Sequence, residues 1–285
     1  MYKVSTYEDV YQVYELSDEL TGSWVKAAPE RGGIIIGWGA GGEELLYLDR
    51  ATYEDPVANI RGGNPILFPI SGQLENKRYE WDGVTYPMAN HGFARNMAWE
   101  VVATGTDDGA WMTIKLVSNE MTRESYPFDF EIVYTYRLRD GVLAIEQEYR
   151  NLSEAPMPFY AGFHPYFAAD GKDLAYDTDA RTYLDYNDGE VKSYTGSLDL
   201  TPMVESAAFL DAQRYEIGFE PSAGRSIRLE YSDDFKYVVL WSVAGREFVC
   251  VEPWMALTGE FHRRAELVYA PPGGAVRAEL RMRRV

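Results

Sequence analysis

Apolar and polar residues alternate with a period of two along much of the chain. Residues 112–116 read MTIKL, and similar alternation marks residues 227–231 and 276–282. Successive side chains of a strand point to opposite faces of its sheet, so this pattern is typical of half-buried strands. Further strands are predicted at residues 10–16, 23–28, 32–38, 43–48, 98–104, 130–138, 142–149, 155–161, 237–242, 247–252 and 265–270.

A hairpin turn is predicted at Asp82-Gly83, between two aromatic and β-branched runs in the sequence RYEWDGVTYPM of residues 78–88. Glycine readily supplies the positive φ that a tight turn needs. No long amphipathic helix interrupts the predicted strands, and roughly fifteen strands without helical crossovers cannot build a parallel sheet. The predicted fold class is therefore all-β, a large antiparallel β-sandwich formed by a single domain over residues 1–285.

Charge and composition narrow the range of partners. The apolar fraction of 46% is ample for a folded core, whereas the formal charge of −18 opposes binding to nucleic acid or to anionic membrane surfaces. Cys250 is the single cysteine, and the N-terminus has neither the basic nor the apolar segment of a signal peptide. We expect a cytoplasmic protein, monomeric or homodimeric, that acts on a small molecule and does not span a membrane.

Two of the three histidines lie in polar, turn-rich sequence. They are His91 in NHGFAR, residues 90–95, and His164 in GFHPYF, residues 162–167. Either histidine alone is compatible with a core residue whose ring nitrogens bond to backbone groups. Because Pro165 follows it, His164 is biased towards extended backbone, which suits a strand end that presents its side chain to a cleft.

Glu252 ends the apolar run of residues 248–251 and is followed by Pro253 and Trp254. By local sequence alone, a solvated glutamate at a strand tip is the more common interpretation. Trp254 favours another interpretation, because an aromatic face beside polar groups is a common platform for a sugar ring. These residues predict a site only in combination with the histidines.

The sequence lacks the motifs of nucleotide binding, of zinc binding and of serine hydrolases. The loop RGGNP, residues 61–65, has neither the dinucleotide-binding spacing nor a GK[ST] ending, so a nucleotide site is not predicted. There is no HxH or HExxH pair, one cysteine cannot build a zinc cage, and no GxSxG elbow occurs. We therefore expect chemistry without a metal or an organic cofactor.

Taken together, these segments resemble the aldose 1-epimerase (galactose mutarotase-like) family. Four motifs occur in the family's order, from about residue 30 to the end of the chain, together with YPF at 126–128: Arg61, HGFAR at 91–95, HPYF at 164–167 and EPW at 252–254. The resemblance implies a single large β-sandwich with an open cleft, no metal, no organic cofactor and a sugar substrate. The implied activity is the interconversion of the α and β anomers of an aldohexose.

The resemblance also implies roles for individual residues. Glu252 corresponds to the general base, His164 to the general acid and His91 to a second histidine near the ring oxygen of the sugar. Arg61 and Arg95 correspond to sugar-contacting cations. The family also uses an aspartate between the HPYF and EPW motifs to bind ring hydroxyls, and Asp185 and Asp211 are both candidates for it.

An acid and a base on two sides of the hemiacetal are what ring opening requires. With unperturbed pKa values of about 4.3 for glutamate and 6.5 for histidine, we expect Glu252 and His164 to work without strong pKa tuning.

Two alternative functions are compatible with the same sequence. One is a hexose-6-phosphate 1-epimerase, in which Arg61, Arg95 and either Lys77 or Arg78 would bind the phosphate. The other is a carbohydrate-binding protein without catalysis.

Overall fold

Strands dominate the computed structural model, which describes residues 1–285. There are only three α-helices, each of one or two turns: α1 (Arg50–Glu54), α2 (Glu120–Ser125) and α3 (Glu260–Arg263). Single 3₁₀ turns occupy Pro29–Arg31, Glu75–Lys77 and Ala94–Asn96. None of the helices has the length and apolarity that crossing a bilayer would require. The all-β class predicted from the period-two pattern is confirmed.

The first thirteen strands are β1 (Tyr2–Glu8), β2 (Gln12–Asp18), β3 (Ser23–Ala28), β4 (Ile34–Ala40), β5 (Glu43–Glu44), β6 (Ile66–Leu67), β7 (Arg78–Trp81), β8 (Val84–Pro87), β9 (Glu100–Gly105), β10 (Ala110–Val117), β11 (Phe130–Arg139), β12 (Val142–Asn151) and β13 (Met157–Phe159). The others are β14 (Gly162–Phe163), β15 (Tyr166–Ala168), β16 (Asp173–Asp177), β17 (Thr182–Asp185), β18 (Glu190–Ser193), β19 (Ser197–Asp199), β20 (Ala207–Phe209), β21 (Glu216–Phe219), β22 (Ile227–Tyr231), β23 (Tyr237–Trp241), β24 (Phe248–Trp254), β25 (Val268–Ala270) and β26 (Ala275–Arg284).

Three antiparallel sheets carry most of these strands. The nine-stranded sheet has the order β19-β16-β21-β22-β26-β12-β11-β10-β9. The eight-stranded sheet has the order β18-β17-β20-β23-β24-β14-β6, and β15 pairs with β24 beside this path. The five-stranded sheet runs β1-β2-β3-β4-β5, and two small sheets join β13 to β25 and β7 to β8.

The predicted hairpin is present as β7 and β8, which pair around the turn Asp82-Gly83. Both turn residues have positive φ, 48° at Asp82 and 76° at Gly83, as a two-residue hairpin turn requires. The strand predicted at residues 43–48 is shorter than expected, because only Glu43–Glu44 pair as a strand. None of the six strands between residues 173 and 219 was predicted from the sequence.

The main core lies between the nine-stranded and the eight-stranded sheets. On β11 the buried positions alternate strictly with partly exposed ones, and the buried face includes Phe130, Ile132 and Tyr134. These residues belong to a cluster of 62 buried side chains that also contains Val249 and Val251 of β24. Each such side chain contributes about 1.5–3 kcal/mol by leaving water, so this layer fixes where β24 lies.

β24 is buried on both of its faces. Val249 and Val251 point into the main core, so Cys250, Glu252 and Trp254 point to the opposite face of the eight-stranded sheet. On the neighbouring strand β23, Val238 packs in the main core while Trp241 does not. The face of the sheet that carries Glu252 is therefore the outer one, away from the main core.

Candidate functional site

A cleft of about 550 Å³ lies over the outer face of the eight-stranded sheet. Its volume is within the range of small-molecule sites. Six of the residues singled out in the sequence line it, although they are separated by up to 193 positions: Arg61, His91, Arg95, His164, Glu252 and Trp254. The cleft thus brings the four sequence motifs together.

The strand register places His164 opposite Glu252. β24 pairs antiparallel with β14 at Gly162 and Trp254, and with β15 at Tyr166 and Cys250. His164 lies midway between the two short strands, as Glu252 lies midway between their partners on β24. The Nδ1 atom of His164 is 3.4 Å from Oε1 of Glu252. The break of the strand at His164 and Pro165 therefore aims the imidazole at the carboxylate.

Glu252 is not at a solvated strand tip, because it is 1% exposed and β24 continues through Pro253 to Trp254. The indole Nε1 of Trp254 donates a hydrogen bond to Oε2 of Glu252 at 3.1 Å, which leaves Oε1 to face His164. Burial raises the pKa of Glu252 well above its usual range, and the bond from Trp254 only partly opposes this rise. The expectation that the carboxylate needs no strong tuning is wrong.

His164 is also buried, and its ring lies parallel to the ring of Tyr166, with 4.7 Å between centroids. Burial lowers the pKa of His164 well below its usual range, and two neighbours lower it further: His91, in its protonated form, and the guanidinium of Arg95. Both shifts favour uncharged side chains, while the 3.4 Å contact with Glu252 favours the charged pair. Because the two groups are in contact, they titrate as one coupled pair.

His91 sits in a loop with left-handed backbone, φ 62°, followed by Gly92 at φ 72°. A Cβ on Gly92 would lie 2.1 Å from the carbonyl oxygen of Phe68, so only glycine fits there. Nδ1 of His91 bonds to the carbonyl oxygen of Ser71, which can only accept, so Nδ1 carries the hydrogen. Burial and the nearby Arg95 lower the pKa of His91 to about 3. His91 is therefore neutral, and its Nε2 is a hydrogen-bond acceptor.

Arg61 and Arg95 are the only arginine or lysine residues in the cleft, and neither forms a salt bridge. The guanidinium of Arg61 lies over the ring of Trp241, 5.6 Å from its centroid. Arg95 donates through Nη2 to Asn59 and to the carbonyl oxygen of Asn90, while its buried Nε has no partner. In a chain of formal charge −18, two cations without carboxylate partners are open to a polar or anionic ligand.

The two candidate aspartates lie outside the cleft, so the structure does not support either as a sugar contact. Asp185 is buried and binds Nζ of Lys192 at 2.6 Å. Asp211 accepts hydrogen bonds from the backbone of Arg181 and Thr182. Both carboxylates therefore form hydrogen bonds within the protein, outside the cleft. Two other sequence candidates, Lys77 and Arg78, do not line the cleft either.

Sequence reasoning missed Glu205, a second carboxylate that lines the cleft. Its position depends on Asn187, whose Oδ1 accepts from the backbone N–H groups of Val204 and Glu205, each at 2.9 Å. Nδ2 of Asn187 donates to the carbonyl oxygen of Glu205 at 3.1 Å and to Asp185 at 2.7 Å. Asp185 thus affects Glu205 only indirectly, because it accepts a hydrogen bond from Asn187, which in turn bonds to the backbone of Glu205.

Trp241 of β23 also lines the cleft, and none of the sequence motifs contains it. β23 pairs with β24 so that Val239 lies opposite Glu252 and Trp241 opposite Cys250. The period of two in β23 could have identified Val239 and Trp241 as one face, but not which sheet face bears the cleft.

Comparison with known proteins agrees with the sequence motifs. The family model described as aldose 1-epimerase matches residues 13–283. The chain is similar over 99% of both chains to the crystal structure of the Slr1438 protein from Synechocystis sp. PCC 6803, with 34% identity and a TM-score of 0.92. It is 27% identical over 233 residues to the plasmid protein LacX of Lactococcus lactis, which covers 69% of this chain and 75% of LacX.

A third relative, from Escherichia coli K12, bears the provisional name glucose-6-phosphate 1-epimerase. It is 32% identical over 111 residues, which are 38% of this chain and 34% of that relative.

Proposed function

The chain belongs to the aldose 1-epimerase family, and on that premise we propose that it interconverts the α and β anomers of an aldohexose. The observation that carries the proposal is the buried pair of His164 and Glu252, opposed at 3.4 Å at the floor of a cleft of hexose-accommodating size. A carbohydrate-binding protein without catalysis would have no use for such a pair. The shifted pKa values of both groups further favour a catalytic site.

In the proposed reaction Glu252 removes the proton of the C1 hydroxyl and His164 gives a proton to the ring oxygen. The C1–ring oxygen bond breaks as the C1 carbonyl forms, which gives the open-chain aldehyde. Rotation about C1–C2 presents the other face of the carbonyl. Reversal of the two proton transfers then closes the ring to the opposite anomer, which returns Glu252 to the carboxylate and a proton to His164.

In this reaction His164 must carry a proton, and Glu252 must be ionised, before the sugar reacts. Burial alone favours the uncharged pair, in which Glu252 holds the proton. A hydrogen bond from the C1 hydroxyl to Glu252 favours the carboxylate and so shifts the proton to His164 across the 3.4 Å contact. We propose that sugar binding completes the acid–base pair in this way.

The remaining cleft residues bind the hydroxyls. Neutral His91 offers a lone pair at Nε2, so we assign it to accept from a sugar hydroxyl; the ring oxygen, itself an acceptor, would need a donor. We assign Glu205 as the carboxylate that accepts from ring hydroxyls, the role for which Asp185 and Asp211 were the sequence candidates. Trp241 supplies an aromatic face beside Arg61.

A single domain over residues 1–285 remains our prediction. It is supported by the family match over residues 13–283 and by a cleft whose lining residues run from Asn59 to Thr258. A reaction without a metal or an organic cofactor also stays a prediction.

A hexose-6-phosphate 1-epimerase is the second candidate, favoured by one observation. Arg61 and Arg95 face the cleft without carboxylate partners, as a phosphate site would require, and the relative from Escherichia coli bears the corresponding provisional name. The acid–base pair would act in the same way on either sugar. Only the group attached at C6 distinguishes the two candidates.

Polarimetry with α-D-glucose and α-D-glucose 6-phosphate tests both candidates. An aldose 1-epimerase is expected to show the higher kcat/KM with glucose, and Arg61→Gln should then change the two values by similar factors. A kcat/KM at least tenfold higher for the phosphorylated sugar, lost selectively in Arg61→Gln, would establish the second candidate instead. If the protein accelerates anomer exchange of neither sugar beyond the uncatalysed rate, both candidate functions are contradicted.

A further inference from the structure

A third potential ligand lies next to the acid–base pair, and proton transfer does not use it. Cys250 is on the same face of β24 as Glu252, two residues earlier, and is fully buried. The Sγ of Cys250, a ring nitrogen of His164 and a carboxylate oxygen of Glu252 all lie within 4.8 Å of one another. The outer face of the sheet thus gathers one sulfur, one nitrogen and one oxygen donor.

The geometry of these atoms is close to that of a tetrahedral metal site. Zn²⁺ bonds of about 2.0–2.3 Å place neighbouring ligand atoms about 3.3–3.7 Å apart. The 3.4 Å between Nδ1 of His164 and Oε1 of Glu252 already matches one edge of such a tetrahedron. Since the sulfur is within 4.8 Å of both partners, it needs to approach each of them by at most about 1.5 Å.

The donors are also free to bind. Nδ1 of His164 is buried and has no hydrogen-bond partner, although the residue as a whole is 7% exposed. Trp254 occupies Oε2 of Glu252 and leaves Oε1 facing the histidine. A thiolate and a carboxylate together would neutralise a divalent cation, which a buried site requires.

We propose that His164, Cys250 and Glu252 bind a thiophilic divalent cation such as Zn²⁺, Cd²⁺ or Co²⁺, and that the bound cation inhibits the enzyme. The inhibitory part rests on the proposed function: a cation bonded to Nδ1 and Oε1 holds the two groups that exchange the proton. The sulfur ligand selects against Mg²⁺ and Ca²⁺, which prefer oxygen donors. Arg61 and Arg95 repel a further cation, so binding is weaker than in a four-ligand structural zinc site.

Cobalt absorption tests the site without relying on activity. Cys250 is the only cysteine, so a thiolate-to-cobalt charge-transfer band in the full-length protein reports this residue alone. We expect the band, with visible bands of tetrahedral Co²⁺, to saturate at one equivalent and to be absent in Cys250→Ser. His262→Asn, which changes an exposed histidine outside the cleft, is the matched control and should keep the band. Absence of the band in the unaltered protein would overturn the proposal.

Inhibition of the epimerase activity by Zn²⁺ tests the second part of the proposal, that the bound cation inhibits the enzyme. Each protein is compared with its own rate in the presence of a chelator, so a change of basal rate in a variant does not matter. We expect Zn²⁺ to inhibit reversibly while Mg²⁺ does not, and Cys250→Ser to need about tenfold more Zn²⁺ or higher. Equal sensitivity of the two proteins would refute Cys250 as a ligand; Cys250→Ala serves if Cys250→Ser does not fold. If the protein lacks epimerase activity, the proposed function fails while the cobalt band still decides the metal site.

Discussion

Replacement of Glu252 by glutamine separates its chemical role from its structural one. The amide has nearly the shape of the carboxylate, and its oxygen can still accept the 3.1 Å hydrogen bond from Trp254. It cannot accept the proton of the C1 hydroxyl. A positioned proton-transfer group typically contributes about 10²–10⁴-fold, so we expect kcat to fall by that factor, equivalent to about 2.7–5.5 kcal/mol in the barrier.

We also expect the Glu252→Gln substitution to change how the stability of the protein depends on pH. Because burial raises the folded-state pKa of Glu252 above its ordinary value of 4.5, the contribution of Glu252 to stability is greatest below that pH and is lost as the pH rises through the folded-state pKa. Glutamine does not titrate. The melting temperature of the variant should therefore equal or exceed that of the unaltered protein, and the difference should grow from about pH 5 to pH 8.

Two measurements decide this prediction: polarimetric rates with glucose, and thermal unfolding between pH 5 and pH 8. A variant that retains a near wild-type rate would refute the role of Glu252 as the base. A variant that loses activity together with several degrees of melting temperature would instead indicate a structural role, and would leave the catalytic assignment without support.

Three further predictions concern single substitutions. His164→Asn should lower kcat by about 10²–10⁴-fold in polarimetry, whereas His262→Asn should not change it, and equal losses in both would indicate a general loss of stability. Asn187→Ala removes the hydrogen bonds that place Glu205, so we expect KM to rise by about tenfold with little change in kcat; a loss confined to kcat would contradict Glu205 as a binding residue. Gly92→Ala should lower the free energy of unfolding by about 2–4 kcal/mol in a denaturant titration, since its Cβ meets a carbonyl oxygen at 2.1 Å; unchanged stability would show that the loop can relax.

The regular parts of the fold were predictable because their burial has one simple cause. Strands such as β10 and β11 have one face in the core and one in solvent, so their sequence alternates. β24 is buried on both faces, and its apolar run still predicted a strand, but the prediction ended at Glu252 instead of Trp254. Between residues 173 and 219 the strands are three to five residues long, too short for a period of two to stand out.

Site residues that belong to a sequence motif were predictable. Site residues that are placed by a contact with a residue distant in the sequence were not. His164 and Glu252 were identified by their motifs, but their burial and shifted pKa values arise from sheets packed around them, which no local sequence encodes. Asp185 and Asp211 were chosen by residue type and place in the chain. Glu205 enters the cleft through hydrogen bonds from Asn187, 18 positions earlier, so nothing near it in sequence marks it.

The proposed function requires that the cleft catalyses anomer exchange and does not merely bind sugar. The most direct measurement is the NMR exchange rate between the α and β anomeric protons of glucose at equilibrium, titrated with the protein and, separately, with Glu252→Gln. We predict an exchange rate proportional to protein concentration and saturable in sugar, with the variant still broadening the sugar signals through binding but adding little exchange. Saturable binding of sugar by the unaltered protein, with exchange no faster than in buffer, would contradict the account.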